Sequence, residues 1–225
     1  MIDLDPIWLS MKLAMLTSFL LLVIGLPIAY GLSQWKSKMK IVVESFVSLP
    51  IILPPTVIGF YLLILFSPEN AFGKTLGDAG IQIPFTFTGI LIASLVYSFP
   101  FMIQPIQKGI ENIPDHYWNI SYTLGKSKFE TFIRIILPNI KRSVITGFIL
   151  TFAHTMGEFG VILMIGGNIP GETKVASLAI YSDIEALNYS GAHTYSIILL
   201  AISIAIIIIL NAMNLGRSQS TKKMK

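Results

Sequence analysis

One acidic residue inside an apolar stretch is the strongest candidate for chemistry in this sequence. Glu158 interrupts the otherwise uncharged part of the run 143–167. A carboxylate within a membrane span costs about 2.5–3.5 kcal/mol, so the Glu158 side chain must face protein or water. His154 lies one helical turn earlier and is placed to be its partner. The pair can form a proton relay, or the carboxylate can accept hydrogen bonds that fix neighbouring helices.

Small hydroxyl side chains in the middle apolar runs are a second candidate. Such groups can line a path for a tetrahedral anion by donating hydrogen bonds, or they can hold transmembrane helices together. A charged Glu158 in contact with an anion would repel it, so we expect Glu158 to be structural or associated with a gate. The hydroxyl residues are Thr56, Ser94, Ser98, Thr151 and Thr155.

Three prolines within six residues, Pro50, Pro54 and Pro55, predict a broken helix. Each interior proline removes a backbone hydrogen bond, and in lipid the freed carbonyl needs another partner. The break therefore marks a translocation path, or else a kink that improves packing. We expect the path or gate to include Pro54, Pro55, Thr56, Ser98, Thr155, Gly157 and Glu158.

Several classes of chemistry are disfavoured by what the chain lacks. There is no cysteine and there are three histidines, which argues against thiol catalysis, disulfides and a clustered metal site. The phosphate-binding pattern G-x-x-x-x-G-K-[ST] does not occur, so any ATP hydrolysis belongs to another chain. We expect no cofactor and no nucleic-acid partner.

The elements that carry these residues follow from composition. The 225 residues are 53% hydrophobic and 12% charged, whereas soluble domains carry about 25% charged residues. The apolar runs are continuous rather than alternating, so we predict an all-α polytopic membrane protein rather than a β-barrel. Five transmembrane helices are expected near residues 9–32, 43–66, 85–106, 143–166 and 192–213.

The placement of the cations predicts the orientation. Thirteen of the 16 Lys and Arg residues lie in the loop 33–40, the loop 107–142 and the C-terminal tail. The positive-inside rule makes that side cytoplasmic. The N-terminus is then outside and the C-terminus inside, as an odd number of spans requires.

The cytoplasmic loop 107–142 is too long for a simple connection and has helical spacing. Trp118, Tyr122 and Phe129 recur among polar residues, and Gly125 separates two helical stretches. Such a segment can lie on lipid headgroups or can dock into a groove of a partner protein.

At this loop the chain resembles the permease subunits of ABC importers. Gly125 precedes Leu137-Pro138 by the spacing of the family's loop, although Trp118, Ile120 and Ser121 stand where the family often has Glu and two Ala. In that family the loop forms a coupling helix that sits in a cleft on the ATPase. The resemblance implies this role for about 114–128, with contacts through Asp115, Trp118, Tyr122, Thr123, Leu124, Gly125 and Lys126.

Three further segments are similar to the molybdate-importer branch of the family. They are Leu-Pro-x-x-Leu-Pro-Pro-x-Val-x-Gly at 49–59, Gly-Glu-Phe-Gly at 157–160 and Asn-Ile-Pro-Gly-Glu-Thr at 168–173. The resemblance implies a single type-1 transmembrane domain over 1–225, in the bacterial cytoplasmic (inner) membrane. Its implied partners are a second copy of the chain, two ATPase subunits and an extracytoplasmic oxyanion-binding protein.

Two alternatives remain open. Within the same family, the cargo can be sulfate, thiosulfate or tungstate, because tetrahedral dianions of similar size are not separated by these residues. In a different class, the chain can be a stand-alone proton-coupled transporter that uses His154 and Glu158. The lack of an internal repeat disfavours the second alternative.

Overall fold

The computed structural model describes the backbone of residues 3–222 and the side chains of residues 3–212. Within residues 3–222 the secondary structure is entirely helical. The cations predicted for the C-terminal tail, from Arg217 onward, have side chains outside the described residues. The helices are α1 (Asp5–Gln34), α2 (Met39–Ile52), α3 (Pro55–Phe66), α4 (Ala71–Asp78), α5 (Phe87–Glu111), α6 (Asp115–Thr123), α7 (Lys128–Thr131), a π-helical segment (Phe132–Ile136), α8 (Leu137–Asn139), α9 (Lys141–Met156), α10 (Gly160–Gly166), α11 (Ala176–Glu185) and α12 (Tyr189–Lys222).

Three of these helices are long and apolar enough to cross a membrane on their own. They are α1, α5 and the part of α12 from Tyr189 to Ala212. Two bent helix pairs meet the same criteria when each pair is counted as one span, namely α2 with α3, and Lys128–Asn139 with α9. The described chain therefore contains three to five candidate membrane spans.

The second expected span, 43–66, is not a straight helix, because α2 and α3 meet at 107°. Proline has no N–H and clashes with the preceding turn, so Pro54 and Pro55 cannot continue α2. Pro55 is instead the first residue of α3, a position where a missing N–H leaves no bond unmade. The prolines thus produce the break that the sequence predicts.

The fourth expected span, 143–166, is also interrupted. Helix α9 ends at Met156 and α10 begins at Gly160. The N–H groups of Gly157 and Glu158 bond to the carbonyls three residues earlier, at 3.1 and 3.3 Å, in the tight geometry of a helix end. The span therefore holds a short non-helical segment that contains Glu158.

The buried apolar side chains form two main clusters, stacked along the long helices. The basic-end cluster joins the second half of α1, the second half of α5, α6, the π-helical segment and parts of α2 and α9. The opposite-end cluster joins the first halves of α1 and α5 with α3, α10 and α11. Helices α1 and α5 run through both clusters, whereas each interrupted span passes from one cluster to the other at its break.

The clusters define the two ends of the bundle. Segments 33–40 and 107–142, which carry most of the loop cations, meet at what we call the basic end, where Lys40 pairs with Glu111. At the opposite end, the side chain of Ser10 in α1 accepts a hydrogen bond from the N–H of Ala176 in α11. The cation-rich loops are therefore brought to one end, as the orientation argument requires.

Candidate functional site

Glu158 lies in the break between α9 and α10 and its side chain is 1% exposed. The hydroxyls of Ser94 and Ser98, one turn apart on α5, donate hydrogen bonds to its two carboxylate oxygens at 2.6 and 3.1 Å. The Ser98 hydroxyl also lies 2.9 Å from that of Thr155 on α9. Because Ser98 gives its one proton to Glu158, Thr155 is the donor in that pair. The carboxylate thus joins α5 to the end of α9.

His154 is not the hydrogen-bonding partner of Glu158 that the spacing suggests. Its Nε2 atom is 4.0 Å from Oε1 of Glu158, beyond hydrogen-bonding distance. The imidazole stacks instead on Phe101, with ring centroids 4.0 Å apart, and packs near Tyr97. The hydrogen bonds that the Glu158 carboxylate accepts come from the two serine hydroxyls, and His154 makes no direct hydrogen bond to it in this conformation.

The break also frees backbone groups, and α11 satisfies one of them. Ser177 donates its hydroxyl to the backbone carbonyl of Glu158. The first turn of α11 is in turn held to α1 through Ser10, which also donates to the carbonyl of Pro6 at 2.9 Å. Ser177 and Ser10 were not predicted from the sequence, because the bonds of Ser177 to Glu158 and of Ser10 to Ala176 join separate segments of the chain and leave no local spacing signal.

The two helix breaks are neighbours in space. A Cβ atom placed on Gly160 would lie 3.2 Å from the ring of Pro55 and 3.3 Å from Cγ2 of Thr56. One turn further along, a Cβ on Gly59 would lie 2.7 Å from the Cβ of Met164. Glycines therefore let the start of α3 rest directly against α10, beside the segment that holds Glu158.

The expected path residues separate into buried and exposed groups. Ser98, Thr155 and Glu158 are buried, as are the two further candidates Ser94 and Thr151. Pro54, Thr56 and Gly157 are exposed and Pro55 is half-buried. The structure brings all seven expected residues to one region. The buried residues form hydrogen bonds across the break, and the exposed residues form its surface.

The segment 168–173 has a structural explanation. The Glu172 carboxylate accepts a hydrogen bond from the N–H of Phe87, the first residue of α5, at 2.9 Å. The Thr173 hydroxyl donates to the carbonyl of Gly166 at 2.7 Å and accepts from the N–H of Ile169 at 2.8 Å. An acidic side chain at a helix N-terminus is favourable, so this loop ties the end of α10 to the start of α5.

Residues 114–131, which include those expected to contact an ATPase and which we call the coupling segment, form two short helices at the basic end. Asp115 begins α6 and Gly125, with φ of +76°, ends it in a left-handed conformation that suits glycine. The hydroxyls of Ser121 and Thr131 are 2.7 Å apart and join α6 to α7. Lys126 pairs with Glu130 on α7 at 2.9 Å.

Trp118 does not project from this segment as an anchor for a partner. Its side chain is 9% exposed and belongs to the basic-end cluster, where its ring lies near that of Tyr30 on α1. An amphipathic helix needs its own protein to cover one face, and Trp118 is on that face. The outward side chains are instead Ile120, Tyr122, Leu124 and Phe129, with Leu124 70% and Phe129 75% exposed. Thr123 is also exposed.

The hydrogen bonds of Glu158 predict how its substitutions affect stability. We expect Glu158→Gln to unfold at nearly the wild-type temperature, because the amide still offers an acceptor oxygen and the serine hydroxyls can accept from its NH₂ group. Glu158→Leu leaves the buried Ser94 hydroxyl without its partner, at a cost of about 1–3 kcal/mol. Thermal unfolding of the purified proteins in one detergent measures both; equal stability of the wild type and the leucine variant would contradict the structural role.

The sequence is similar to known transport proteins. Residues 21–217 match the family described as binding-protein-dependent transport system inner membrane component. The chain is 44% identical over 192 residues to the molybdenum transport system permease protein ModB of Azotobacter vinelandii, covering 85% of each chain. It is 31% identical over 202 residues to the probable sulfate transport system permease protein cysT of Prototheca wickerhamii, covering 90% of this chain and 79% of that one.

The fold is also similar to solved structures. A bacterial ABC transporter that imports the acidic polysaccharide alginate matches with a TM-score of 0.76 at 18% identity, over 93% of this chain and 78% of that one. A bacterial alginate ABC transporter in complex with an alginate pentasaccharide-bound periplasmic protein matches with a TM-score of 0.75 at 17% identity, over 93% and 77%. This chain belongs to the family of binding-protein-dependent transport system inner membrane components.

Proposed function

We propose that this chain is the translocation subunit of an ATP-driven importer of molybdate. The 44% identity to a molybdenum transport permease, over 85% of both chains, is the observation that carries this proposal. The probable sulfate transport permease of Prototheca wickerhamii is less similar, at 31% identity. Sulfate, thiosulfate or tungstate is therefore the second choice of cargo.

The proposed topology has five spans across the inner membrane of a bacterium. The N-terminus lies outside the membrane and the C-terminus lies in the cytoplasm. Each bent pair then counts as one crossing. The gathering of loops 33–40 and 107–142 at the basic end supports this assignment, because cytoplasmic loops carry the excess of Lys and Arg. The segment 168–173 and helix α11 then lie at the outer face.

The proposed path runs past the exposed surface of the two helix breaks. Thr56 offers a hydroxyl there, and the exposed Gly157 places no side chain over its own backbone. Such donors can conduct an anion without binding it tightly. Glu158 is buried and its carboxylate accepts hydrogen bonds from Ser94 and Ser98, so its oxygens are not exposed at this surface where an anion would pass.

The proposed assembly contains two copies of this chain, two ATPase subunits at the basic end and an oxyanion-binding protein at the opposite end. Leu124 and Phe129 give the basic end an exposed apolar surface of the kind that enters a partner's groove. Asp115, Tyr122, Thr123, Gly125 and Lys126 surround it, and the buried Trp118 fixes its orientation. ATP hydrolysis takes place in the partner subunits.

Uptake by reconstituted vesicles tests the proposed cargo and energy source. With the ATPase and binding protein present, we expect molybdate uptake that depends on ATP, because hydrolysis drives alternating access. An equal concentration of sulfate should leave most of that uptake intact. Vesicles that contain this chain alone, under an imposed pH gradient, are the control and should take up none. Stronger competition by sulfate would overturn the choice of cargo, and uptake by the chain alone would overturn the importer assignment.

The exposed apolar residues of the coupling segment predict where the ATPase binds. We expect Leu124→Ser and Phe129→Ser each to weaken ATPase binding about tenfold or more, because burying such a side chain contributes about 1.5–3 kcal/mol. Titration of the ATPase onto the purified chain in detergent measures the affinity. Leu187→Ser is the matched control, since Leu187 is 73% exposed but lies at the opposite end. Loss of ATPase binding in Leu187→Ser, with normal binding in the other two variants, would place the ATPase at the opposite end and contradict the proposal.

A further inference from the structure

A row of polar side chains joins α2 to α5 at the basic end. Three lie one turn apart along α2 and three lie on the facing side of α5. We call this group the α2–α5 latch, and it consists of Lys40, Glu44, Ser48, Gln104, Gln107 and Glu111.

The contacts of the latch are continuous along the two helices. The Lys40 ammonium donates to Glu111 at 2.6 Å and lies 3.6 Å from the Glu44 carboxylate. The Gln107 amide donates to Glu111 at 2.9 Å and also to Glu44. One turn deeper, the Gln104 amide donates to the Ser48 hydroxyl at 3.0 Å. Both carboxylates are thus paired, and each of the three latch residues on α2 contacts a residue on α5.

The latch is the polar part of the attachment of α2 to α5. This helix is described throughout and has no fully buried residue. Val43 and Val47 are its side chains that pack, half-buried, against the basic-end cluster. Many of its other apolar side chains point outward, as Phe46 and Ile52 do. With so little apolar surface of α2 buried within this chain, its polar contacts with α5 contribute much of its attachment to the rest of the same chain.

The latch also lies next to the coupling segment. Glu111 is the last residue of α5, and Asp115 begins α6 after a short link in which Ile113 packs against the basic-end cluster. At its other end, α2 leads into the break before Pro55, and α3 belongs to the opposite-end cluster. A displacement of α6 therefore reaches α5 through the chain and α2 through the latch.

We propose that Lys40, Glu44, Gln107 and Glu111 are positioning residues that make α2 move together with the coupling segment. The movement is then concentrated at the break between α2 and α3, beside the exposed Thr56 and Gly157. The contacts of the latch persist throughout the transport cycle. Their loss uncouples ATP hydrolysis from movement at the break between α2 and α3. This inference rests on the proposed function.

Transport by the reconstituted complex tests the latch. Glu111→Ala removes the partner of Lys40 and one of the two partners of Gln107. We expect ATP hydrolysis to stay near the wild-type rate while molybdate uptake per ATP falls about fivefold or more, as for mutations that weaken coupling between sites. An unchanged ratio of molybdate uptake to ATP hydrolysed would overturn the inference. The wild-type complex measured in parallel separates this outcome from failure of the proposed function, in which the wild type imports no molybdate.

A covalent link that replaces the latch provides a second test of the inference. The chain has no cysteine, so Ser48→Cys with Gln104→Cys allows one defined link between α2 and α5 by a short thiol crosslinker. We expect the crosslink to restore the uptake ratio of Glu111→Ala and to leave transport intact in an otherwise wild-type chain. The wild-type chain treated with the same reagent controls for thiols on the partner subunits. Inhibition by the crosslink in the otherwise wild-type chain would show that α2 leaves α5 during the cycle, and would overturn the proposal even if Glu111→Ala does not fold.

Discussion

The structure depends on how a carboxylate and an interrupted backbone are satisfied inside an apolar bundle. Unpaired backbone groups in lipid cost several kcal/mol each, so a break in a span survives only where protein covers it. Here Ser94 and Ser98 of α5 cover the Glu158 carboxylate, and Ser177 of α11 covers its carbonyl. These bonds, with that between Ser98 and Thr155, hold α5, α9 and α11 together at one point.

Both breaks lie where a span passes from one buried cluster to the other. Each interrupted span changes from the basic-end cluster to the opposite-end cluster at its break, while α1 and α5 run through both. Close packing at Gly59 and Gly160 keeps α3 and α10 together. A transporter that alternates access needs such a boundary near the middle of the membrane, next to the surface along which the substrate passes.

Local sequence signals predicted the elements well and the contacts between them poorly. Long apolar runs located α1, α5 and α12, and the prolines before Thr56 located the break after α2. The grouping of Ser98, Thr155 and Glu158 was expected, but not its cause: serine donors on α5, about sixty residues away in sequence, replace the nearby His154.

The position of Trp118 was also not predictable from the sequence, because amphipathic spacing does not say whether an aromatic ring faces a partner protein or its own core. The contacts of Ser177 and of the α2–α5 latch left no pattern in the sequence, since each joins separate segments of the chain.

Distances between spin labels in the full complex test the central claim most directly, namely that the molecule moves at the α2–α3 break while α2 stays with α5. The absence of cysteine allows labels at Ser45 on α2, Tyr61 on α3 and Lys108 on α5, all exposed. In complexes with one labelled copy, the account predicts that ATP changes the Ser45–Tyr61 distance and leaves the Ser45–Lys108 distance unchanged. A constant Ser45–Tyr61 distance, with a Ser45–Lys108 distance that changes with ATP, would contradict it.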